Sequence, residues 1–359
     1  MINLKKIFLY NFLILFILVI LLECFFYLKV KNNSSIYKSH YDFRKLQPEP
    51  YEDATYFSND FLEEWKKHPG GYSQILNTNI IIPNNFQGKY INVKENLRAT
   101  TSQPLNSLNT VHVFGGSSIF SGEVPDKNTI PSFLQVKLNN ADRRYIVKNY
   151  GVSSIIAKQQ YERMKKTVQI KKGDIVIFYD GANDILQKIY FNNQDGWILG
   201  GGDNKEFYWI KILRKIAKYS YSISYIDKKI TQALPLKANF KNEAQIYLKE
   251  IKDAEVYVKN KGGKFYHFLQ PVLFEKENKN RYEKELLLIR SLVPIGLEEV
   301  FKKGYPEFKK QLKKLSNSYD LTKSFDVTKK SPYLDWCHIN HEGNEIIANK
   351  IFDIIIKDI

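Results

Sequence analysis

The chain has few of the residues that build disulfide-stapled or metal-bound domains. It contains only two cysteines, Cys24 and Cys337, and six histidines among 359 residues. Two cysteines cannot form a disulfide framework, and these two are not expected to pair because Cys24 lies within a long apolar run. No spacing of the histidines and cysteines matches a metal site. We therefore expect a domain held together by an apolar core, with no metal and no cofactor.

Acidic residues are scarce relative to basic ones, with 38 Asp and Glu against 54 Lys and Arg, which gives a net charge of +16. Such an excess can favour nucleic acid, an anionic membrane surface or an acidic polymer. The lysines are spread along the chain and no nucleic-acid-binding motif accompanies them. We therefore expect no specific nucleic-acid partner, and the sequence carries no signal for an oligomeric state.

One long apolar run lies near the start of the chain, from Ile7 to Leu28, interrupted only by Asn11 and Glu23. As a helix, about 22 residues would reach roughly 33 Å, which is enough to cross the core of a bilayer. A cleaved signal peptide would have a shorter run and a small-residue cleavage site, and neither is visible. The run predicts a single uncleaved membrane anchor. Lysines on both sides leave its orientation open.

The rest of the chain alternates predicted strands and helices, which is typical of a parallel sheet covered by helices on both faces. The predicted strands are Val111–Phe114, Tyr145–Lys148, Asp174–Tyr179 and Lys264–Leu269. The predicted helices are Ile130–Asn139, Ala157–Gln169, Glu243–Asn260 and Gly343–Ile356. The chain is thus divided into a tail (1–6), the anchor (7–28), a stem or lead-in subdomain (29–105) and one α/β domain (106–359) with insertions near 185–262 and 275–330.

Four short segments carry the chemistry. The first predicted strand ends in Gly115-Gly116-Ser117, and a serine at the carboxyl end of a parallel strand lies where open α/β sheets bind ligands. Gly151 follows the second strand, Asn183 follows the third, and His338 follows Asp335 by three residues near the end of the chain. Taken singly, each could be a helix cap or a turn residue. Taken together, they supply a hydroxyl nucleophile, an imidazole base and a carboxylate close enough to fix its tautomer.

In this order the four segments resemble the sequence blocks of the SGNH (GDSL-type) hydrolases, and the resemblance covers roughly residues 105–359. It implies a flavodoxin-like three-layer α/β sandwich with Ser117 as nucleophile, His338 as base and Asp335 as its partner. It also implies an oxyanion hole formed by the Ser117 N–H, the Gly151 N–H and the Asn183 amide. One residue departs from the pattern, because Gly116 stands where the family usually has Asp. His341 is expected to be a weaker candidate for the base than His338, and Cys337 is expected to be a packing residue.

The resemblance and the anchor lead to one main hypothesis. We expect a membrane-anchored serine esterase that removes acyl (acetyl) groups from an envelope glycan or a related ester. With its Gly-Gly-Ser serine turn the chain resembles a bacterial, membrane-anchored subgroup of this family. That resemblance implies a catalytic domain outside the cytoplasm, in the periplasm or at the cell surface. An O-acyltransferase that modifies a cell-surface polysaccharide with the same triad remains an alternative, as does a non-catalytic glycan-binding or assembly protein.

Overall fold

The structure is a computed structural model, and it describes residues 4–31, 43–46, 48–67, 71–196, 220, 222, 239–289, 292–294 and 296–359. The strands of this part of the chain are β1 Tyr72–Gln74, β2 Ile81–Pro83, β3 Phe86–Gln87, β4 Asn92–Lys94, β5 Leu97–Arg98, β6 Asn109–Gly115, β7 Tyr145–Asn149, β8 Ile175–Asp180, β9 Lys264–Leu269 and β10 Ser318–Asp320. Its α-helices are α1 Leu4–Lys31, α2 Asn59–Lys66, α3 Ser117–Phe120, α4 Ile130–Asn140, α5 Ala157–Thr167, α6 Ala182–Asp184, α7 Phe240–Asn260, α8 Arg281–Leu286, α9 Leu297–Leu312 and α10 His341–Ile355.

The centre of the domain is a sheet in the order β10-β9-β8-β6-β7-β5-β4-β3. The five strands from β6 to β10 are parallel, and their order across the sheet is second, first, third, fourth and fifth along the chain. This is the flavodoxin-like order of a doubly wound sheet. The short strands β3 to β5 extend one edge in antiparallel fashion. The predicted α/β class is therefore confirmed.

The apolar strands explain why the sheet is buried on both faces. Every residue of β8, Ile175–Asp180, is buried, and its run of Ile, Val, Phe and Tyr is typical of a strand covered from both sides. The helices form two groups, α4 with α10 and α7 with α5 and α9, which make the two outer layers. The four predicted strands and four predicted helices lie within a few residues of the observed ones.

The predicted insertion at 275–330 is part of the sheet architecture. It contains α8, α9 and β10, and β10 pairs in parallel with β9, with Ser318 opposite His267. The short polar strand, Ser-Tyr-Asp, gives no apolar run from which a strand could be predicted. Of the predicted insertion at 185–262, a π-helical turn at Ile185–Tyr190 and the helix α7 are described. Residues 197–219, 221 and 223–238 lie outside the described residues.

The lead-in segment also joins the main domain. Strand β5 pairs with β7 through Arg98 and Asn149, so β3 to β5 continue the central sheet. Further upstream, Tyr51 and Ala54 pack against Leu334 of the loop before the last helix. The described residues between 43 and 105 therefore contribute directly to the sheet and to the surroundings of that loop.

Helix α1 is long and apolar enough to cross a membrane by its length and composition. Its most apolar window, Tyr10–Tyr27, has a mean hydropathy of 2.3, and none of it is buried against the rest of the described chain. A membrane span or a signal sequence fits these properties.

Candidate active site

The chemistry-bearing residues lie at the carboxyl edge of the parallel sheet. Ser117 comes directly after β6, and Asn183 comes shortly after its neighbour β8. Strand β6 is flanked by β7 and β8, so the chain winds away from it in both directions. This is the topological switch point, where adjacent loops diverge and leave a crevice for a ligand.

A tight turn presents Ser117. Strand β6 ends at Gly115, Gly116 caps the short helix α3, and Ser117 is its first residue. A side chain on Gly115 would press against Ile119 and against the backbone oxygen of Tyr179. Glycine is therefore required because the end of β6 packs closely against α3 and the neighbouring strand β8.

The side chains of Ser117, His338 and Asp335 form a continuous hydrogen-bonded chain. The Oγ of Ser117 lies 2.7 Å from Nε2 of His338, and Nδ1 of His338 lies 2.6 Å from Oδ2 of Asp335. Because a carboxylate can only accept, Nδ1 carries the proton and the neutral ring offers Nε2 as the acceptor for the serine hydroxyl. This is the arrangement that a serine nucleophile and its general base require.

Asp335 is fixed by the loop that carries it. Its carboxylate is fully buried, and its Oδ1 accepts hydrogen bonds from the backbone N–H groups of Cys337 (2.9 Å) and His338 (2.8 Å). The spacing of three residues thus lets one oxygen hold the loop while the other holds the imidazole. The guanidinium of Arg44 also lies 3.4 Å from Oδ2.

The environment of His338 favours its protonated form. Burial opposes a charge on the ring, but the negative charge of the Asp335 carboxylate, with a further contribution from Glu123, outweighs the effect of burial. The two carboxylates raise the pKa of His338 well above its ordinary value. The imidazolium that forms when the ring takes the serine proton is therefore stabilised in place.

Two N–H donors lie at the serine turn. The Ser117 N–H is at the first position of a helix, where backbone N–H groups have no partner within the helix. The side-chain amide of Asn183 lies against Gly116, and one of its two hydrogens is donated to the carbonyl of Ile155 at 3.0 Å. Its second N–H makes no hydrogen bond within the described part of the chain.

The close approach of Asn183 explains why position 116 is a glycine. A Cβ at position 116 would overlap Nδ2 of Asn183. Any side chain at this position would displace the amide in the present geometry. Glycine therefore permits the close approach of Asn183 to the serine turn.

The prediction that Gly151 donates to the oxyanion is corrected by the structure. Its single N–H is buried and is donated to Oδ1 of Asn149 at 2.9 Å, so it is not free for a substrate. A Cβ at Gly151 would overlap the backbone of Ile119 and Phe120. The glycine is needed because the loop after β7 packs directly on helix α3. The position of Gly151 in the sequence motif does not distinguish a glycine needed for close packing from one that donates its N–H to a substrate.

The neighbouring candidates take other roles. Ser118 accepts a hydrogen bond from Nε2 of Gln270 at 2.7 Å, and it is buried. His341 starts helix α10, and its Nδ1 lies 3.5 Å from the hydroxyl of Tyr56. Burial raises the pKa of the Cys337 thiol to about 12, so the thiol is protonated at neutral pH and is a poor nucleophile.

Among the described residues, one group of side chains could hold a metal ion by its spacing. The donor atoms of Asp335, Cys337 and His338 lie within 4.8 Å of one another. However, Nδ1 of His338 carries the proton shared with Asp335, and the thiol is protonated. These donors therefore fit a proton-transfer chain better than a cation.

Three residues of the site were not found from the sequence. Arg44 and Glu123 lie around the Asp335 carboxylate, and Gln270 joins the serine turn to the histidine loop through Ser118 and the carbonyl of Cys337. Arg44 is 291 residues from Asp335 along the chain, and no local pattern marks such a contact.

No protein-family model and no curated protein matches the chain. Several solved structures are similar. A member of the lipolytic G-D-S-L family from Veillonella parvula is 12% identical, with a TM-score of 0.41, over 69% of this chain and 99% of that one. The acetyl xylan esterase AlAXEase is 16% identical, with a TM-score of 0.41, over 68% of this chain and 99% of that one. A catalytic mutant of an acetylxylan esterase from Geobacillus stearothermophilus is 13% identical, with a TM-score of 0.37, over 70% and 95%.

Proposed function

We propose that the protein is a serine esterase of the SGNH type, with Ser117 as nucleophile, His338 as general base and acid, and Asp335 as the partner of His338. The observation that carries this proposal is the chain of contacts at 2.7 Å and 2.6 Å from the hydroxyl through the imidazole to the buried carboxylate. Nε2 of His338 is placed to take the serine proton, which is the step that an unassisted hydroxyl lacks.

The reaction proceeds in two halves. In the first, Oγ of Ser117 attacks the ester carbonyl carbon while His338 takes its proton, and the oxyanion is stabilised by the Ser117 N–H and the Asn183 amide. His338 then gives the proton to the leaving alkoxide, and the acyl group stays on Ser117. In the second half, His338 takes a proton from water, the hydroxide attacks the acyl-serine, and the free acid leaves as Ser117 regains its proton.

The proposed substrate is an acyl, in the simplest case acetyl, ester on an envelope glycan. Two properties support this choice. Helix α1 is long and apolar enough to hold the domain at a membrane, and the net charge of +16 favours anionic surfaces and polymers. We place the catalytic domain outside the cytoplasm, where such glycans are exposed.

The proposal is tested with the full chain in detergent and a fluorophosphonate probe, which reacts only with an activated serine. We expect one label, on Ser117, that is lost in Ser117→Ala and kept in Ser118→Ala. Labelling of another serine, or none in wild type, would contradict the assignment. Incubation with acetylated polysaccharide, with and without a deacetylated acceptor glycan, then measures free acetate. Release that is unchanged by the acceptor supports an esterase, whereas transfer that outcompetes release identifies an acyltransferase.

A further inference from the structure

Arg44 occupies an unusual position for a cation. Its guanidinium is buried between the histidine loop and the loop after α3, and 1% of the residue is exposed. Nη2 lies 3.4 Å from Oδ2 of Asp335, and Nη1 lies 3.4 Å from Oε1 of Glu123. The guanidinium carbon also lies 4.3 Å from the ring centre of Trp65 in helix α2. A residue of the lead-in segment is thus inserted behind the proposed catalytic carboxylate.

Two carboxylates meet the one guanidinium of Arg44. Its two terminal nitrogens lie against Asp335 and Glu123, so two negative charges lie close to a single positive charge. The hydroxyl groups of Tyr51 and Tyr282 and the Cys337 thiol also face these charges. When His338 takes the proton of Ser117, its positive charge forms beside Asp335. The negative charges of Asp335 and Glu123 favour that charge, so this arrangement favours proton transfer to the imidazole.

Arg44 and Glu123 have different relations to His338. Arg44 contacts the oxygen of Asp335 that accepts from Nδ1 of His338, so it restricts where that oxygen can lie. Glu123 contacts Arg44, and its negative charge also favours the protonated form of His338. The side chain of Arg44 is therefore held at both ends of its fork, with one end on the carboxylate that orients the base.

Building on the proposed esterase function, we propose that Arg44 and Glu123 are positioning residues of the catalytic centre. Arg44 fixes the Asp335 carboxylate against His338, and Glu123 holds Arg44 and supplies the charge that favours the imidazolium. The lead-in segment is thereby a working part of the site.

The test uses the full chain in detergent and compares Arg44→Met, Arg44→Lys, Glu123→Gln and the double variant Arg44→Met/Glu123→Gln. Arg281→Met is the matched control, because the side chain of Arg281 is 93% exposed. The pKa of His338 is followed by NMR of ¹³C-labelled histidine, with its signal assigned by its loss in His338→Gln. The second measurement is kcat and KM for 4-nitrophenyl acetate.

We expect Arg44→Met to raise the pKa of His338 by roughly half a unit or more, because it removes a positive charge, and Glu123→Gln to lower it. The double variant should return the pKa of His338 towards the wild-type value. Arg44→Met should lower kcat by on the order of tenfold or more with little change in KM, because the base is misaligned. Arg44→Lys keeps the charge, so it should keep the pKa of His338 while kcat still falls.

Shifts of the same sign in the two single variants, or an unchanged pKa and kcat in Arg44→Met, would overturn the proposal. If Arg44→Met does not fold, the fall of the pKa in Glu123→Gln and its retention in Arg44→Lys decide the matter. The NMR measurement needs no turnover. Failure of the wild-type protein to react with the fluorophosphonate would contradict the esterase function. The pKa of His338 in the variants would still test the roles of Arg44 and Glu123.

Discussion

Replacement of Gly116 by alanine tests the oxyanion hole with a single methyl group. The added Cβ would overlap Nδ2 of Asn183, whereas the backbone of the serine turn can stay as it is. To restore normal contact the amide must retreat by on the order of 1 Å, which exceeds the roughly 0.5 Å within which catalytic groups have to be held. The end of a side chain moves more easily than backbone, so we expect the fold to survive.

The size of the effect follows from the loss of one oxyanion donor. Such a loss typically lowers kcat by about 10²- to 10³-fold, or about 2.7 to 4 kcal/mol of transition-state stabilisation. We expect this fall in kcat for 4-nitrophenyl acetate, with KM little changed, because the amide acts on the transition state and not on the bound ester. The active enzyme is counted by fluorophosphonate titration.

Two further variants make the result decisive. Gly122→Ala is the control, since a Cβ there has its closest neighbours at 3.7 Å, an ordinary contact, and activity should be kept. Asn183→Ala should show the same fall as Gly116→Ala, and the double variant should be no worse than Asn183→Ala alone, because the overlap is gone. If Gly116→Ala keeps kcat within a few-fold of wild type, the amide of Asn183 does not act on the oxyanion.

Three more predictions concern the triad. Ser117→Ala and His338→Ala should each abolish hydrolysis of 4-nitrophenyl acetate, and the double variant should be little worse than either. His341→Ala should keep most of the activity. An inactive His341→Ala would contradict the choice of His338 as the base. Asp335→Asn should lower kcat/KM by about 10⁴-fold, since an amide favours the wrong tautomer of His338. The acid limb of its pH–rate profile should move to lower pH, because the carboxylate that raises the pKa of His338 is gone. Asp353→Asn is the control at an exposed position, and an Asp335→Asn activity above a tenth of wild type would refute the role of Asp335. The raised folded-state pKa of His338 also means that its contribution to the free energy of unfolding is complete below about pH 6.5 and is lost as the pH rises through the folded-state pKa. Urea unfolding of wild type should show this decline, and His338→Gln should not.

The parts predicted well from the sequence are those with strong local signals. Strand β8 is a continuous apolar run, and the helices α4 and α10 carry an apolar period, so their positions were found to within a few residues. The strand β10 was missed because three residues of mixed polarity carry no period. Its place is set by pairing with β9, which sequence patterns do not report.

The site divides in the same way. The structure brings Ser117, Asn183, His338 and Asp335 together. Ser117 and Asn183 belong to motifs that follow a predicted strand, and Asp335 and His338 belong to a motif that precedes the last predicted helix. Gly151 was misassigned because a glycine in a loop can serve either a donor or a close approach of two backbones, and only the contacts distinguish them. Arg44 belongs to no motif, because its contact is with Asp335, which lies 291 residues away along the chain.

The contact between Arg44 and Asp335 also limits how far the active site can lie from the N-terminal helix. Helix α1 ends at Lys31, and thirteen residue steps lead from there to Arg44. Even a fully extended chain of that length spans no more than about 47 Å. If α1 crosses a bilayer, the proposed nucleophile therefore lies within roughly this distance of the membrane surface. Esters farther out would reach it only if their polymer bends back towards the surface. Lengthening this tether with a Gly-Ser insert after Lys31 should therefore extend the depth of glycan that the enzyme can deacylate, while leaving kcat for a small soluble ester unchanged.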